Sequence, residues 1–330
     1  MSVLSVRDLR VTYRTKGGGV PAVRGVSFDI NKGQVLGLAG ESGCGKSTIA
    51  ASILRLHSAG TAIEGEILLD GKSVLELSPG KLRATRWTGA SIVFQGALHA
   101  LNPVRRVGDQ IAEAITVHGL AGEREARVRA GGLLEDVGLP ARRINDYAHE
   151  LSGGQKQRVM IAMALACSPS LVIADEPTTA LDVMVQAQVL RLLKSLQHEL
   201  GLAMLFITHD LSVLAEVSDH IAVMYAGRIV EEGPAEHVFH SPVHPYTRAL
   251  AAAFPEIGDA RFRGRPGGLG GDPPDPQAIP EGCPFHPRCP AAWDDCTRIV
   301  PELWDAGEGG RRAACLLATG APVTSKGSSA

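Results

Sequence analysis

The chain has no long hydrophobic run. Its longest unbroken apolar stretch, "VMIAMALAC" at 159–167, has nine residues, well short of the ~20 that cross a bilayer as a helix. The opening "MSVLSVRDLRVTY" carries Arg7, Asp8 and Arg10 where a signal peptide needs an apolar core. An excess of one charge is also missing. There are 33 basic and 35 acidic residues, for a net charge of -2, so no global basic field recruits nucleic acid or anionic lipid. No internal repeat is visible. Cysteine is scarce until the tail: only Cys44 and Cys167 precede Cys283, Cys289, Cys296 and Cys315. These absences lead to the expectation of an intracellular protein with no membrane span of its own. In a reducing compartment, clustered cysteines read as metal or redox chemistry rather than as disulfides.

What is present is an alternation of strand and helix signals over the first 250 residues. "QVLGLAG" (34–40), "LVIAD" (171–175) and "LAMLFITHD" (202–210) are nearly continuous apolar runs, as parallel strands covered on both faces should be. Between the last two, "MVQAQVLRLLKSLQHEL" (184–200) places apolar residues at three- and four-residue spacing, the period of a helix. The pattern predicts an α/β domain with a largely parallel sheet. "LSVRDLRVTY" (4–13) and "HIAVMYAGRIVEEG" (220–233) read instead as short alternating strands, the second with a hairpin signal at Ala226-Gly227. After residue 254 the texture changes. Nine of the 20 prolines lie between 255 and 290, which predicts an irregular connector and a domain boundary near 255. The last residues, 321–330, read as disordered.

"GESGCGKST" (40–48) matches the phosphate loop G-x-x-x-x-G-K-[ST]. Gly40, Gly43 and Gly45 let the backbone turn its N–H groups toward anionic oxygens, and Lys46 reaches the β- and γ-phosphates. The Ser47 hydroxyl can ligate Mg²⁺. A strand precedes the loop and "TIAASILRL" reads as a helix after it, so the whole stretch Gly40, Glu41, Ser42, Gly43, Cys44, Gly45, Lys46, Ser47 and Thr48 is read as the ATP site. Asp175 ends a buried strand, where α/β proteins bind ligands, and supplies the acid for Mg²⁺. Glu176 follows it as general base for the attacking water. "LSGGQKQR" (151–158) adds a second helix N-terminus suited to an anion.

Taken together, "LSGGQ", the phosphate loop and "LVIADEP" resemble the nucleotide-binding subunit of an ATP-binding cassette (ABC) transporter. Further blocks narrow the likeness: "FQGALHALNP" (94–103), "DEPTTALDV" (175–183), "MYAGRIVE" (224–231) and "HPYTRAL" (244–250) are similar to the oligopeptide/dipeptide importer subfamily. That resemblance spans about residues 3–315. It implies an ABC-type P-loop NTPase fold with a mostly parallel core sheet, an antiparallel N-terminal subdomain and an inserted helical subdomain at about 96–165. The ATPase domain would cover 1–254 and a Pro/Cys-rich extension 255–320. It also implies roles: Tyr13 stacks on adenine, Gln95 senses Mg²⁺ and the attacking water, Asp182 lies in a loop crossing between subunits, and His209 contacts the γ-phosphate. Ser152, Gly153, Gly154 and Gln155 would act on the ATP held by a second, paralogous cassette. Two permease subunits and an extracytoplasmic substrate-binding protein complete the implied complex, on the cytoplasmic face of the membrane. Peptide is the implied cargo, with nickel, glutathione or oligosaccharide as alternatives. A soluble ABC ATPase and an exporter cassette are the rival classes. Neither a second cassette nor a long coiled-coil insertion favours the first, and the tail argues against the second. One departure is Gly96-Ala97, where an Asp-Pro pair is common in the subfamily.

Cys283, Cys289, Cys296 and Cys315 are separated by five, six and eighteen residues, with no C-x-x-C pair. Four thiolates are the number that a [4Fe-4S] cluster needs, and the pattern resembles the cysteine-bearing tail of some dipeptide-importer ATPases. Zinc, with His286 replacing a thiolate, stays open, as do four free thiols that only pack.

Overall fold

A computed structural model describes residues 2–94, 100–179, 181–253, 269–307 and 309–319. The expectations for Gln95, for Gly96-Ala97, for the connector up to residue 268 and for the tail at 321–330 fall outside these residues. Twelve strands are described: β1 (Ser2–Thr15), β2 (Gly18–Asn31), β3 (Val35–Ala39), β4 (Ala62–Leu69), β5 (Lys72–Ser73), β6 (Ala90–Val93), β7 (Leu171–Asp175), β8 (Ala203–Ile207), β9 (His220–Tyr225), β10 (Arg228–Pro234), β11 (Trp304–Asp305) and β12 (Arg312–Ala313). They form two sheets. One is antiparallel with order β2-β1-β4-β5. The other has order β11-β12-β10-β9-β3-β8-β7-β6, with its β9-β3-β8-β7-β6 portion parallel.

The apolar runs follow from where the parallel strands lie. Leu36 and Leu38 of β3 face one core, while Val35 and Ala39 face the other. Leu171 and Ile173 of β7 alternate in the same way with Val172 and Ala174, and Leu205 of β8 with Met204 and Phe206. A period-two strand that is buried on both faces must be apolar at every position. The first core lies between the two sheets and takes in Ile49, Ala50 and Ile53 of the helix Lys46–Ile53. The second lies under the helices Val107–Val117, Glu123–Asp136, Gly153–Leu165 and Val183–Leu200. The last of these begins where Asp182 Oδ1 accepts the Val185 N–H at 2.9 Å and ends at Gly201 in the left-handed region. No helix among the described residues is long and apolar enough to cross a membrane.

The C-terminal extension is joined to the main domain. β12 pairs antiparallel with β10, placing Ala313 opposite Glu231, so residues from the far end of the chain extend the larger sheet. Phe285 is almost fully buried against Tyr225 and Tyr246, with ring centroids 5.3 and 5.4 Å away. The Glu231 carboxylate is buried and accepts the N–H groups of Val243 and His244 at 2.8 and 2.9 Å, just before the helix Pro245–Ala253. Burial raises its pKa, and those N–H groups oppose the rise.

Candidate functional site

The phosphate loop lies between β3 and the helix Lys46–Ile53, as the sequence predicts. Gly45 sits at the helix N-cap with φ 107°, and a Cβ there would meet the Ala22 carbonyl at 2.4 Å. Only glycine fits both constraints. Lys46 is buried; its ammonium donates to the carbonyls of Gly40 at 2.6 Å and Glu41 at 2.9 Å. Those carbonyls hold the point charge against the loop. Ser47 and Asp175, 128 residues apart in sequence, come together: the Ser47 hydroxyl donates to Asp175 Oδ1 at 3.2 Å. A hydroxyl and a carboxylate side by side are the pair Mg²⁺ needs beside a nucleotide. Burial raises the Asp175 pKa, opposed by the Ser47 hydrogen bond and reinforced by the neighbouring Glu176 charge.

Glu176 leaves β7 with φ 46°, a conformation that side chains seldom adopt, and its N–H is held by the Ile207 carbonyl of β8 at 2.9 Å. Its carboxylate accepts from Thr179 Oγ1 at 2.9 Å and from His209 Nδ1 at 3.4 Å. The expected base and the expected switch histidine are therefore neighbours, just past the ends of β7 and β8. Thr179 was not foreseen, although it lies within the "DEPTTALDV" block. The Tyr13 hydroxyl lies 3.2 Å from both Thr48 Oγ1 and His57 Nδ1, so this tyrosine borders the phosphate-loop helix.

Ser152 caps the helix Gly153–Leu165. Its Oγ accepts the Gln155 N–H at 3.4 Å, while Gln155 Oε1 accepts the Ser152 N–H at 3.0 Å. This reciprocal box leaves a rigid helix terminus bearing Ser152 on the surface. A Cβ on Gly154 would meet Val185 Cγ1 at 2.5 Å, so the signature helix and the helix after Asp182 are packed without room for a side chain. Among the described residues, no hydrogen bond or ion pair joins Ser152–Gln155 to residues 40–48.

The four tail cysteines gather in the extension. The Cys283 N–H donates to the Cys296 carbonyl at 2.8 Å, and Cys296 packs with Trp293 and Leu316. Burial pushes the Cys283 thiol up to about 11; the Phe285 N–H opposes this, while Cys296, Cys315 and Cys289 add to it. Burial also raises Cys289 and Cys315, with backbone N–H groups of Ala291 and of Leu317 and Ala318 opposing. The thiols are thus close enough to feel one another's charge, and N–H groups point at three of them. Yet among the described residues no three His, Cys, Asp or Glu side chains converge as a metal-binding group. They pack like small apolar side chains. The expected metal centre is therefore gathered in composition but not closed in geometry. His286 directs Nδ1 to the Cys283 carbonyl at 3.0 Å.

Arg288 and Tyr246 also reach the phosphate loop, and the Tyr225 hydroxyl accepts from Arg288 Nη1 at 3.4 Å. Arg288 pairs with the Glu41 carboxylate, and the Glu41 N–H donates to the Tyr246 hydroxyl at 2.9 Å. Both tyrosines lie in blocks that carry the subfamily likeness, but nothing in their spacing signals this contact.

Comparisons with known proteins agree with this geometry. A family model described as "ABC transporter" matches residues 23–179, and one described as "Oligopeptide/dipeptide transporter, C-terminal region" matches residues 230–296. A probable peptide ABC transporter ATP-binding protein, y4tR of Sinorhizobium fredii, is 46% identical over 323 residues, covering 95% of this chain and 94% of its own length. The dipeptide transport ATP-binding protein DppD of Bacillus subtilis is 44% identical over 303 residues, covering 91% and 90%. Among solved structures, the ATP-binding cassette MJ0796, a dimer in a post-hydrolysis state bound to ADP and Pi, matches with a TM-score of 0.63 at 30% identity, covering 70% of this chain and 98% of that one. CbiO1 of Clostridium perfringens, part of the ABC transporter complex cbiONQ, matches with a TM-score of 0.62 at 31% identity, covering 73% and 91%.

Proposed function

The chain belongs to the ABC transporter family, as an ATP-binding subunit, and on that premise we propose that it hydrolyses ATP to drive import of di- and oligopeptides through a membrane complex. The observation that carries this reading is the convergence of Ser47, Asp175, Glu176 and His209 from three separate segments onto the end of the parallel sheet. Lys46 and the loop N–H groups hold the β- and γ-phosphates. Ser47 and Asp175 would hold Mg²⁺, which supplies charge neutralisation of the phosphate oxygens. Glu176 takes a proton from water as its oxygen bonds to the γ-phosphorus, and the bond to the ADP oxygen breaks. His209, hydrogen-bonded to Glu176, orients that carboxylate and reaches toward the γ-phosphate. Tyr13 and Gln95 take the adenine and the water as the family resemblance implies.

The signature terminus serves the nucleotide of a second cassette. Its separation from the chain's own phosphate loop supports that arrangement, with a paralogue as partner and Asp182 near the shared boundary. ATP binds the closed pair better than the open one, so binding drives closure. Two permease subunits, fed by an extracytoplasmic binding protein, receive the motion on the cytoplasmic side. An apolar groove of about 410 Å³, lined in part by Leu54, Trp87, Phe94, Met160 and Met163, supports their docking here. It lies between residues just past the phosphate-loop helix and the signature helix, so a segment seated in it touches both. The tail thiols Cys283, Cys289, Cys296 and Cys315 hold a [4Fe-4S] cluster as a structural staple, with zinc as the alternative. Four thiols, three of them with N–H groups directed at them, suit either metal, since a cation would offset the mutual repulsion of their thiolates.

The test is uptake into proteoliposomes holding the whole complex. Uptake of labelled dipeptide that needs ATP and the binding protein supports the reading. ATP hydrolysis without peptide uptake, or uptake of another cargo alone, contradicts the peptide assignment.

A further inference from the structure

Residue Glu41 is the hub of the phosphate loop. Its carbonyl accepts from Lys46 Nζ at 2.9 Å and its N–H donates to the Tyr246 hydroxyl at 2.9 Å. Its carboxylate is gripped by Arg288 through two bonds, Nη1 to Oε2 at 2.7 Å and Nη2 to Oε1 at 2.9 Å. The pair spans 247 residues of sequence and is well shielded: the Arg288 side chain is 7% exposed and that of Glu41 23%. Arg288 has further partners. Its Nε donates to the Gly270 carbonyl at 2.9 Å, and its guanidinium lies 5.9 Å from the Tyr225 ring and 6.0 Å from the Phe285 ring.

This arrangement has an electrostatic consequence. A carboxylate inside the loop that receives a triphosphate repels its ligand. At low local dielectric an unpaired carboxylate there is costly, and a bidentate guanidinium is the partner best shaped to cancel it. Arg288 comes from the cysteine-bearing extension and directly precedes Cys289. The turn that carries it is closed by the His286 N–H on the Cys283 carbonyl at 3.0 Å and the Cys289 N–H on the His286 carbonyl at 3.2 Å. The extension is therefore built so that its first two cysteines bracket the residue that reaches back into the nucleotide site.

We propose that Arg288 is a positioning residue for ATP binding: it neutralises Glu41 and fixes the Glu41 peptide, so that the phosphate loop and Lys46 meet the nucleotide without a competing negative charge. The proposal rests on the reading of residues 40–48 as the ATP-phosphate loop. It gives the extension a share in the ATPase site, and makes the order around Cys283 and Cys289 a determinant of nucleotide affinity.

The experiment is calorimetric titration of the full chain with the Mg²⁺ complex of adenylyl imidodiphosphate, with thermal unfolding followed in parallel. Arg288→Ala weakens binding about 2- to 160-fold, the range of coupling between groups in direct contact. Arg288→Lys lies between that and the wild type. Arg288→Ala/Glu41→Gln recovers most of the loss, because the repelling charge has gone, whereas loss of a merely structural contact would not be reversed. Arg288→Gln, which removes the charge but keeps much of the side chain's volume, shows the same loss and keeps the test decisive if Arg288→Ala does not fold. Wild-type affinity in the Arg288 variants or no recovery in the double variant overturns the proposal. Lys46→Ala separates the two levels: if it binds as the wild type does, the phosphate-loop reading fails and the role of Arg288 fails with it.

Discussion

The Ser47 hydroxyl donates to the Asp175 carboxylate across 3.2 Å, joining the first turn after the phosphate loop to the last residue of β7. Burial raises the Asp175 pKa above its ordinary value of 3.8, so the folded chain holds this proton more tightly than the unfolded chain does. As pH rises through that interval the folded state loses stability relative to the unfolded one.

Asp175→Asn removes this penalty. The variant should unfold at a higher temperature than the wild type at neutral pH without nucleotide, and the gap should narrow as the pH falls toward 3.8. The same change should abolish Mg²⁺-dependent ATP turnover. Thermal unfolding across pH, beside an ATPase assay, checks both. A lower midpoint at neutral pH would show that Asp175 stabilises the site instead of straining it.

Ser152→Arg puts a bulky cation on the exposed cap of the helix Gly153–Leu165. It should leave binding of nucleotide to this chain's own loop unchanged, yet block ATP-dependent association with the partner cassette. Light scattering with and without ATP reads the effect. Association that survives the substitution would rule out a head-to-tail pair.

Much of this was legible from sequence for one physical reason: the parallel strands are buried on both faces. β3, β7 and β8 announce themselves as apolar runs, and the motifs at their C-terminal ends could be placed before any coordinates. The hairpin at Ala226-Gly227 appears with both residues in the left-handed region, at φ 46° and 80°. β2 was missed. Its "GGVPAVRG" lacks a clean period and contains Pro21, which an edge strand tolerates because one side needs no partner. The extension was read as a unit apart from the ATPase domain, yet β12 pairs with β10 and Arg288 grips Glu41. Contacts between residues so distant in sequence leave no periodic signal. Asp182 was legible as part of a motif, but its helix-capping bond to Val185 was not read.

The four thiols give a test free of any activity assay. Protein purified without oxygen should be brown, absorb at about 400 nm and contain about four irons per chain. Cys289→Ser should lose the iron. Stoichiometric zinc without iron would replace the cluster with the alternative metal, and metal-free protein that folds normally would reduce the cysteines to packing groups.

The most direct test of the central claim is peptide-stimulated ATP hydrolysis by the assembled complex, comparing the wild type with Glu176→Gln. Glutamine keeps the size of the side chain, and its single amide oxygen can still accept the hydrogen bond from either Thr179 or His209, but it cannot take the proton from water. ATP affinity should stay near the wild-type value while turnover falls about 10²–10⁴-fold, the usual contribution of a positioned acid–base group. Turnover close to the wild type in that variant would contradict the assignment of Glu176 and the hydrolytic mechanism built on it.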